Sequence, residues 1–222
     1  MTFLPAANEA RQNRRLWLVG ECGEAEANGG HCEPIRMPIL QCEPDLYPDD
    51  LFERAEEAAG PDQAWWALYT MPRSEKELIR QLRGWQIGCY CPLVPQRRRS
   101  PAGRVRTSYL PLFTGYVFLF GGEEQRVRAL TTNCVSRCLS VPDERELYRD
   151  LSQTWRLIRS GVPVTPEASL VAGQRVTVRS GPLSGLEGVI VRRQGQSRLI
   201  VAVDFLQQGA SVLVEDWEVA AA

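Results

Sequence analysis

Lysine is all but missing from this chain, histidine occurs once, and no apolar run approaches the length of a membrane span. Lys76 is the single lysine among 26 Lys and Arg residues, and His31 is the single histidine. A bilayer-spanning helix needs about 20 consecutive apolar residues, so such a span is excluded. The N-terminus lacks the charged-then-apolar pattern of a secretion signal, and a cytoplasmic location is expected. No phosphate-cradling GxxxxGK sequence is present, and no Ser or Cys nucleophile stands beside an identifiable base. An enzyme is therefore not expected, and neither a cofactor nor a metal is called for.

Seven cysteines are an odd number in a chain without a secretion signal, so reduced thiols are expected rather than a disulfide framework. Cys22, His31, Cys32 and Cys42 fall within one stretch. Zinc ligands usually pair at spacings of about two to four residues, and the wider gaps here do not match. Cys89 with Cys91, and Cys134 with Cys138, have no neighbouring His or Lys to make a reactive thiolate, and they read as packing residues.

Charge is present in quantity but unevenly placed. The net charge of −1 hides a split: residues 1–64 hold 13 acidic and 5 basic side chains, residues 65–165 hold 8 and 16, and residues 166–222 hold 6 and 5. The middle third is basic and almost wholly arginine, which suits bidentate phosphate contacts and stacking. A genome that favours Arg over Lys accounts for the missing lysines, but not for this segregation.

Residues 1–64 show no sustained period, and they collect glycines, prolines and an acidic stretch from Glu43 to Glu57. They are expected to be an acidic, disordered extension with a short helix near Leu51–Ala59. At Trp65 the character changes. WWALYT reads as a strand, with Trp65, Ala67 and Tyr69 on one face and Trp66 and Leu68 on the other. Ser74 and Glu77 form a capping-box pattern ahead of a helix whose stripe is Leu78, Ile79, Leu82 and Trp85. The strand from Cys89 leads into QRRRSPAGRVRT, a hairpin-like loop carrying Arg97, Arg98, Arg99, Arg104 and Arg106 around a Pro–Gly turn. Five guanidiniums on one loop repel one another unless an anion lies nearby, although a solvated loop has the same composition.

The chain is organised around Leu110–Phe120, LPLFTGYVFLF. Alternation along it puts Tyr116, Phe118 and Phe120 on one face and Val117 and Leu119 on the other, so both faces need cover. A helix at 123–131 and a strand at 134–141 follow. Asp143 and Glu146 then open a helix whose Leu147, Leu151, Trp155 and Ile158 share a face, ending at Gly161. Val117 and Leu119 are assigned to the helices carrying Leu78/Leu82 and Leu147/Leu151. The aromatic face is left to pack inside the domain or to receive a partner. Beyond a short Pro-containing linker, four strands, VTV, GVIV, LIVAV and SVLV, alternate with Gly-rich turns, and EDWEV supplies a possible fifth. This is the pattern of a small β-barrel.

VAGQRVTVRSGPLSGLEGVIV resembles the KOW motif, including Gly188, and Trp65 to Gly161 resembles the N-terminal domain of the NusG family of transcription elongation and antitermination factors in its order of elements. The resemblance covers residues 65–222. It implies an α+β fold, with an N-terminal antiparallel sheet flanked by helices and linked to a small SH3-like all-β barrel. The implied divisions are 1–64 as the extension, 65–161 as the polymerase-binding domain, 162–170 as the linker and 171–222 as the KOW barrel.

The same resemblance implies docking on the clamp helices of the largest catalytic RNA polymerase subunit through Tyr69, Tyr116 and Phe118, with Trp65 at the edge. It further implies suppression of pausing and phosphate contacts from Arg97–Arg99, Arg104 and Arg106 to upstream or non-template DNA. The barrel of this family recruits Rho or a small-subunit ribosomal protein. The matching loop here offers Phe205 and Leu206, with Phe205 equally suited to the barrel core. Gln207–Gln208 replaces the Gly–Arg of general NusG, which leaves the identity of the partner open. The threonine-rich jaw contact of RfaH-like relatives is also departed from, in QRVRALTTN. The acidic extension and altered loops point towards a specialised, operon-directed paralogue, monomeric and away from membranes. The β-branched content of 176–203 points to a constitutive barrel rather than one that refolds. The competing reading is a KOW-type RNA-binding protein associated with the ribosome.

Overall fold

The computed structural model describes residues 43–222 apart from 58–61, 102, 172, 194, 216–218 and 222. The Cys22, His31, Cys32, Cys42 cluster and the first 42 residues lie outside the described residues. In chain order the elements are β1 (Leu46–Tyr47), α1 (Leu51–Glu57), β2 (Ala64–Thr70), α2 (Glu75–Gly84), β3 (Gly88–Tyr90), β4 (Leu93–Arg99), β5 (Val105–Pro111) and β6 (Tyr116–Gly121). There follow α3 (Glu123–Leu130), β7 (Val135–Ser140), α4 (Glu144–Arg159), β8 (Thr165–Glu167), β9 (Gln174–Val178), β10 (Glu187–Arg193), β11 (Gln196–Val203), β12 (Gln208–Leu213) and β13 (Val219–Ala221).

The first sheet is antiparallel in the order β1-β3-β6-β2-β7, so the apolar run of β6 is its central strand and needs cover above and below. On one side Val117 and Leu119 join Leu68 and Cys89 beneath Leu78, Ile79 and Leu82 of α2 and Ala129 of α3. On the other, Phe118 and Phe120 join Trp65, Ala67 and Tyr90 beneath Leu51, Phe52 and Ala55 of α1 and Leu147 and Leu151 of α4. Two expectations are corrected here. The α4 helix covers the aromatic face, not the face of Val117 and Leu119. The acidic segment from Glu43 to Glu57 is also part of the domain: Leu46 pairs with Tyr90 in the sheet, and Phe52 packs its ring against Trp65, Tyr90, Tyr148 and Trp155.

A local signal explains the start of α4 but not that of α2. Asp143 caps α4, its side chain accepting from the Glu146 N–H at 2.9 Å. Ser74 precedes α2 but makes no side-chain capping bond, so the capping box read there is not formed.

The second sheet, β13-β9-β10-β11-β12-β8, is the all-β unit. Val176, Val178, Leu186, Leu199, Val201, Val203 and Val212 fill its interior. Gly188 is a close-approach position: a Cβ there would lie 2.5 Å from the Ile200 carbonyl oxygen. The stretch expected to be a plain linker contributes β8 to this sheet, paired with β12. Glu167 secures it, accepting from Ser211 Oγ at 2.7 Å and from Arg193 Nη1 at 3.0 Å. The third sheet is the two-stranded β4–β5 ribbon.

Candidate functional site

The helices cover most of the aromatic face but stop short of its end. Tyr69 and Tyr116 are cross-strand partners in the β2–β6 ladder. Their rings meet edge to face, with centroids 5.2 Å apart and planes at 61°. Tyr69 remains 41% exposed. Its ring also covers Gly115, where φ is +83° and a Cβ would lie 3.1 Å from Tyr69 Cε2. The other two aromatics read as docking residues are interior. Trp65 is held between Phe52 and Phe120, and Phe118 is buried with its ring at right angles to that of Phe113. For Trp65 and Phe118 the alternative of packing inside the domain is the one the burial supports: Phe52 of α1 covers Trp65, and Phe113 packs against Phe118.

A groove of about 680 Å³ is lined by Pro72, Arg73, Glu75, Leu110, Leu112 and Thr114, together with Val164 of the connecting segment and Pro166 of β8; Glu75 and Thr114 bring it to the Gly115 turn next to Tyr116. Met71 and Leu110 leave apolar surface open nearby, at 46% and 40% exposure. Sequence reasoning missed Glu75. It is buried, and its Oε1 accepts from the Gly115 N–H at 2.8 Å, a contact between residues far apart in the chain that no local pattern signals.

The second surface is the ribbon. Arg98 stands directly opposite Arg106, Arg97 opposite Thr107 and Arg99 opposite Val105. Ladder partners share a face, so Arg98 and Arg106 project together and Arg97 and Arg99 project from the reverse side. All five ribbon arginines, Arg104 included, are exposed. Among the described residues none of them forms an ion pair. Arg98 Nε donates to Gln96 Oε1, and the Arg104 N–H donates to Ser100 Oγ. Like charges directly opposite in a ladder are destabilising, and an anion on that face would relieve them.

The third region is the loop Asp204–Leu206, a single 3-10 turn at the end of β11. Phe205 and Leu206 are half-buried against the core. The loop lies on α4, whose polar face holds the all-β unit by its main chain. Asp150 Oδ2 accepts from the Asp204 N–H at 2.9 Å, Gln153 Oε1 from the Glu187 N–H at 2.8 Å, and Arg156 Nη2 donates to the Ser184 carbonyl at 3.2 Å. Burial, with the nearby Asp204 and Glu146 charges adding, pushes the Asp150 carboxyl up to about 7.

The thiols are quiet. Burial pushes Cys89 up to about 12 and Cys91 higher still, and Cys138 is also raised by burial. Among the described residues no group of three or more His, Cys, Asp or Glu is placed to hold a metal ion, and no helix is long and apolar enough to cross a membrane.

The architecture defines the class: an α+β protein whose helix-flanked antiparallel sheet precedes a separate, small all-β sheet. The family model described as transcription termination factor NusG matches residues 63–161, which span β2 to the end of α4. Residues 63–161 therefore form a NusG-family domain, the family being that of a transcription termination factor. No curated protein matches it.

Proposed function

We propose that this factor docks on RNA polymerase through the Tyr69–Tyr116 pair and the groove beside it, the occupant being the clamp helices of the largest catalytic subunit. The carrying observation is Tyr69, 41% exposed at the end of the aromatic face, with its ring edge to face on the half-buried Tyr116. An amphipathic helix laid on such a surface buries ring area that now faces water, and one or two anchoring aromatics carry about 2 kcal/mol each in interfaces of this kind. Seated there, the domain bridges the DNA channel and suppresses pausing. Arg97, Arg98, Arg99, Arg104 and Arg106 then meet the phosphates of upstream or non-template DNA, positioning the protein without reading sequence. The all-β unit acts as a KOW-type adaptor for Rho or a small-subunit ribosomal protein, with Phe205 and Leu206 as its contact once the loop leaves α4.

The test is capture of core RNA polymerase by the full chain. Tyr69→Ala with Tyr116→Ala abolishes capture while the circular dichroism spectrum stays unchanged. Undiminished capture by that variant sinks the docking reading. If an arginine-dependent, strongly salt-sensitive affinity for RNA then remains, the ribosome-associated reading takes its place.

A further inference from the structure

We infer that Glu75 is the positioning residue of the docking surface: its buried carboxylate fixes the turn at Gly115 and thereby the setting of Tyr69 against Tyr116. The inference rests on the docking reading above and names what holds that surface in shape.

Glu75 opens α2 and is only 6% exposed. Among the described residues it forms no salt bridge, and its oxygen is spent on one main-chain donor, the Gly115 N–H. Gly115 is held on its other side as well, its carbonyl accepting from the Thr70 N–H at 2.8 Å. Thr70 is the neighbour of Tyr69, and Tyr116 is the neighbour of Gly115. The glycine is therefore a hub with α2 behind it, the end of β2 beside it and the Tyr69 ring over it. At φ +83° glycine is free of steric strain but also free to leave that conformation, so the bond to its N–H helps to fix the turn. Loss of the acceptor leaves a buried N–H without a partner and frees the turn, and the ring geometry follows.

The experiment uses the full chain and core RNA polymerase, with affinity read by titration and the Gly115 amide followed by hydrogen exchange. Glu75→Ala weakens polymerase binding about tenfold, equivalent to ~1.4 kcal/mol, and accelerates exchange at Gly115. Glu75→Gln keeps an oxygen in reach of Gly115 and binds within about threefold of the parent, a shift of under ~0.7 kcal/mol. Glu75→Asp keeps the charge but withdraws it by a methylene, and behaves like the alanine variant. Undiminished binding by Glu75→Ala overturns the inference. So does equal weakening by Gln and Ala, which would mean that charge matters and not the acceptor. Should Glu75→Ala fail to fold, the Gln and Asp variants decide alone. The docking reading is tested separately: if Tyr69→Ala with Tyr116→Ala leaves binding intact, that reading falls. If the tyrosine changes weaken binding and Glu75→Ala does not, only the role of Glu75 is lost.

Discussion

Asp150 on α4 and Asp204 at the end of β11 meet through one hydrogen bond, the Asp150 carboxylate accepting from the Asp204 main-chain N–H at 2.9 Å. The accepting side is a titratable carboxyl, so the strength of the contact depends on proton concentration. Burial above all pushes the Asp150 carboxyl up to about 7, with the Asp204 and Glu146 charges adding, while the bond from the Asp204 N–H and then Arg149 on the same helix oppose the shift without cancelling it. Arg175 and Glu187 of the all-β unit line the same cleft.

A group that is raised in the docked arrangement binds its proton more tightly there than when the halves part. Its contribution to docking is thus fully present below the ordinary carboxylate range and is lost as pH rises through about 7. Small-angle scattering or domain-to-domain fluorescence transfer across pH 5 to 8 is expected to show the halves separating as pH rises. Asp150→Asn, neutral at every pH and still an acceptor, is expected to stay docked and to flatten that profile.

The ribbon arginines should reveal themselves in salt dependence. Each phosphate contact to duplex DNA contributes about 0.9 to the slope of log affinity against log salt. Arg98→Gln with Arg106→Gln removes the pair sharing one face and is expected to reduce the slope by about 1.8 without changing sequence preference. A variant with an unaltered slope would mean that this face of the ribbon meets no phosphate.

Phe52→Ala tests whether the acidic segment belongs to the domain. Its ring touches four aromatic rings, and truncation of such a core aromatic costs about 3–5 kcal/mol. Thermal or urea unfolding of the full chain should show that loss. An unfolded extension would predict no change at all.

What the sequence made legible, and what it hid, follows from where the contacts lie. The strands at Trp65 and Tyr116 and the helices of Leu78 and Leu147 announce themselves through period, because each buries a face long enough to repeat. The α1 helix does not: within its seven residues only Leu51, Phe52 and Ala55 are buried, amid Glu53, Glu56 and Glu57. The pattern locates the helix but carries no sign that Phe52 covers Trp65, a contact between residues distant in the chain. The β8 strand is hidden for a similar reason, since Pro166 and Glu167 are poor strand formers beside Thr165, and the strand is held by its ladder and by the Glu167 contacts. Glu75 was hidden because its partner is distant in the chain.

Gly188→Ala probes the all-β unit. The added methyl would lie 2.5 Å from a carbonyl oxygen of the neighbouring strand and 2.9 Å from Leu199 Cδ1, so the β10–β11 ladder must open. Overpacking of this kind costs about 1–3 kcal/mol, readable as a lower thermal midpoint in the intact chain.

Because β8 is a member of the second sheet, the leash between α4 and that sheet is only the stretch 160–164. At about 3.5 Å per extended residue it reaches ~20 Å. A binding module on so short a tether works at an effective concentration on the order of millimolar. Anything the all-β unit captures is then presented to the neighbourhood of the first domain at that concentration, however scarce it is in the surrounding solution.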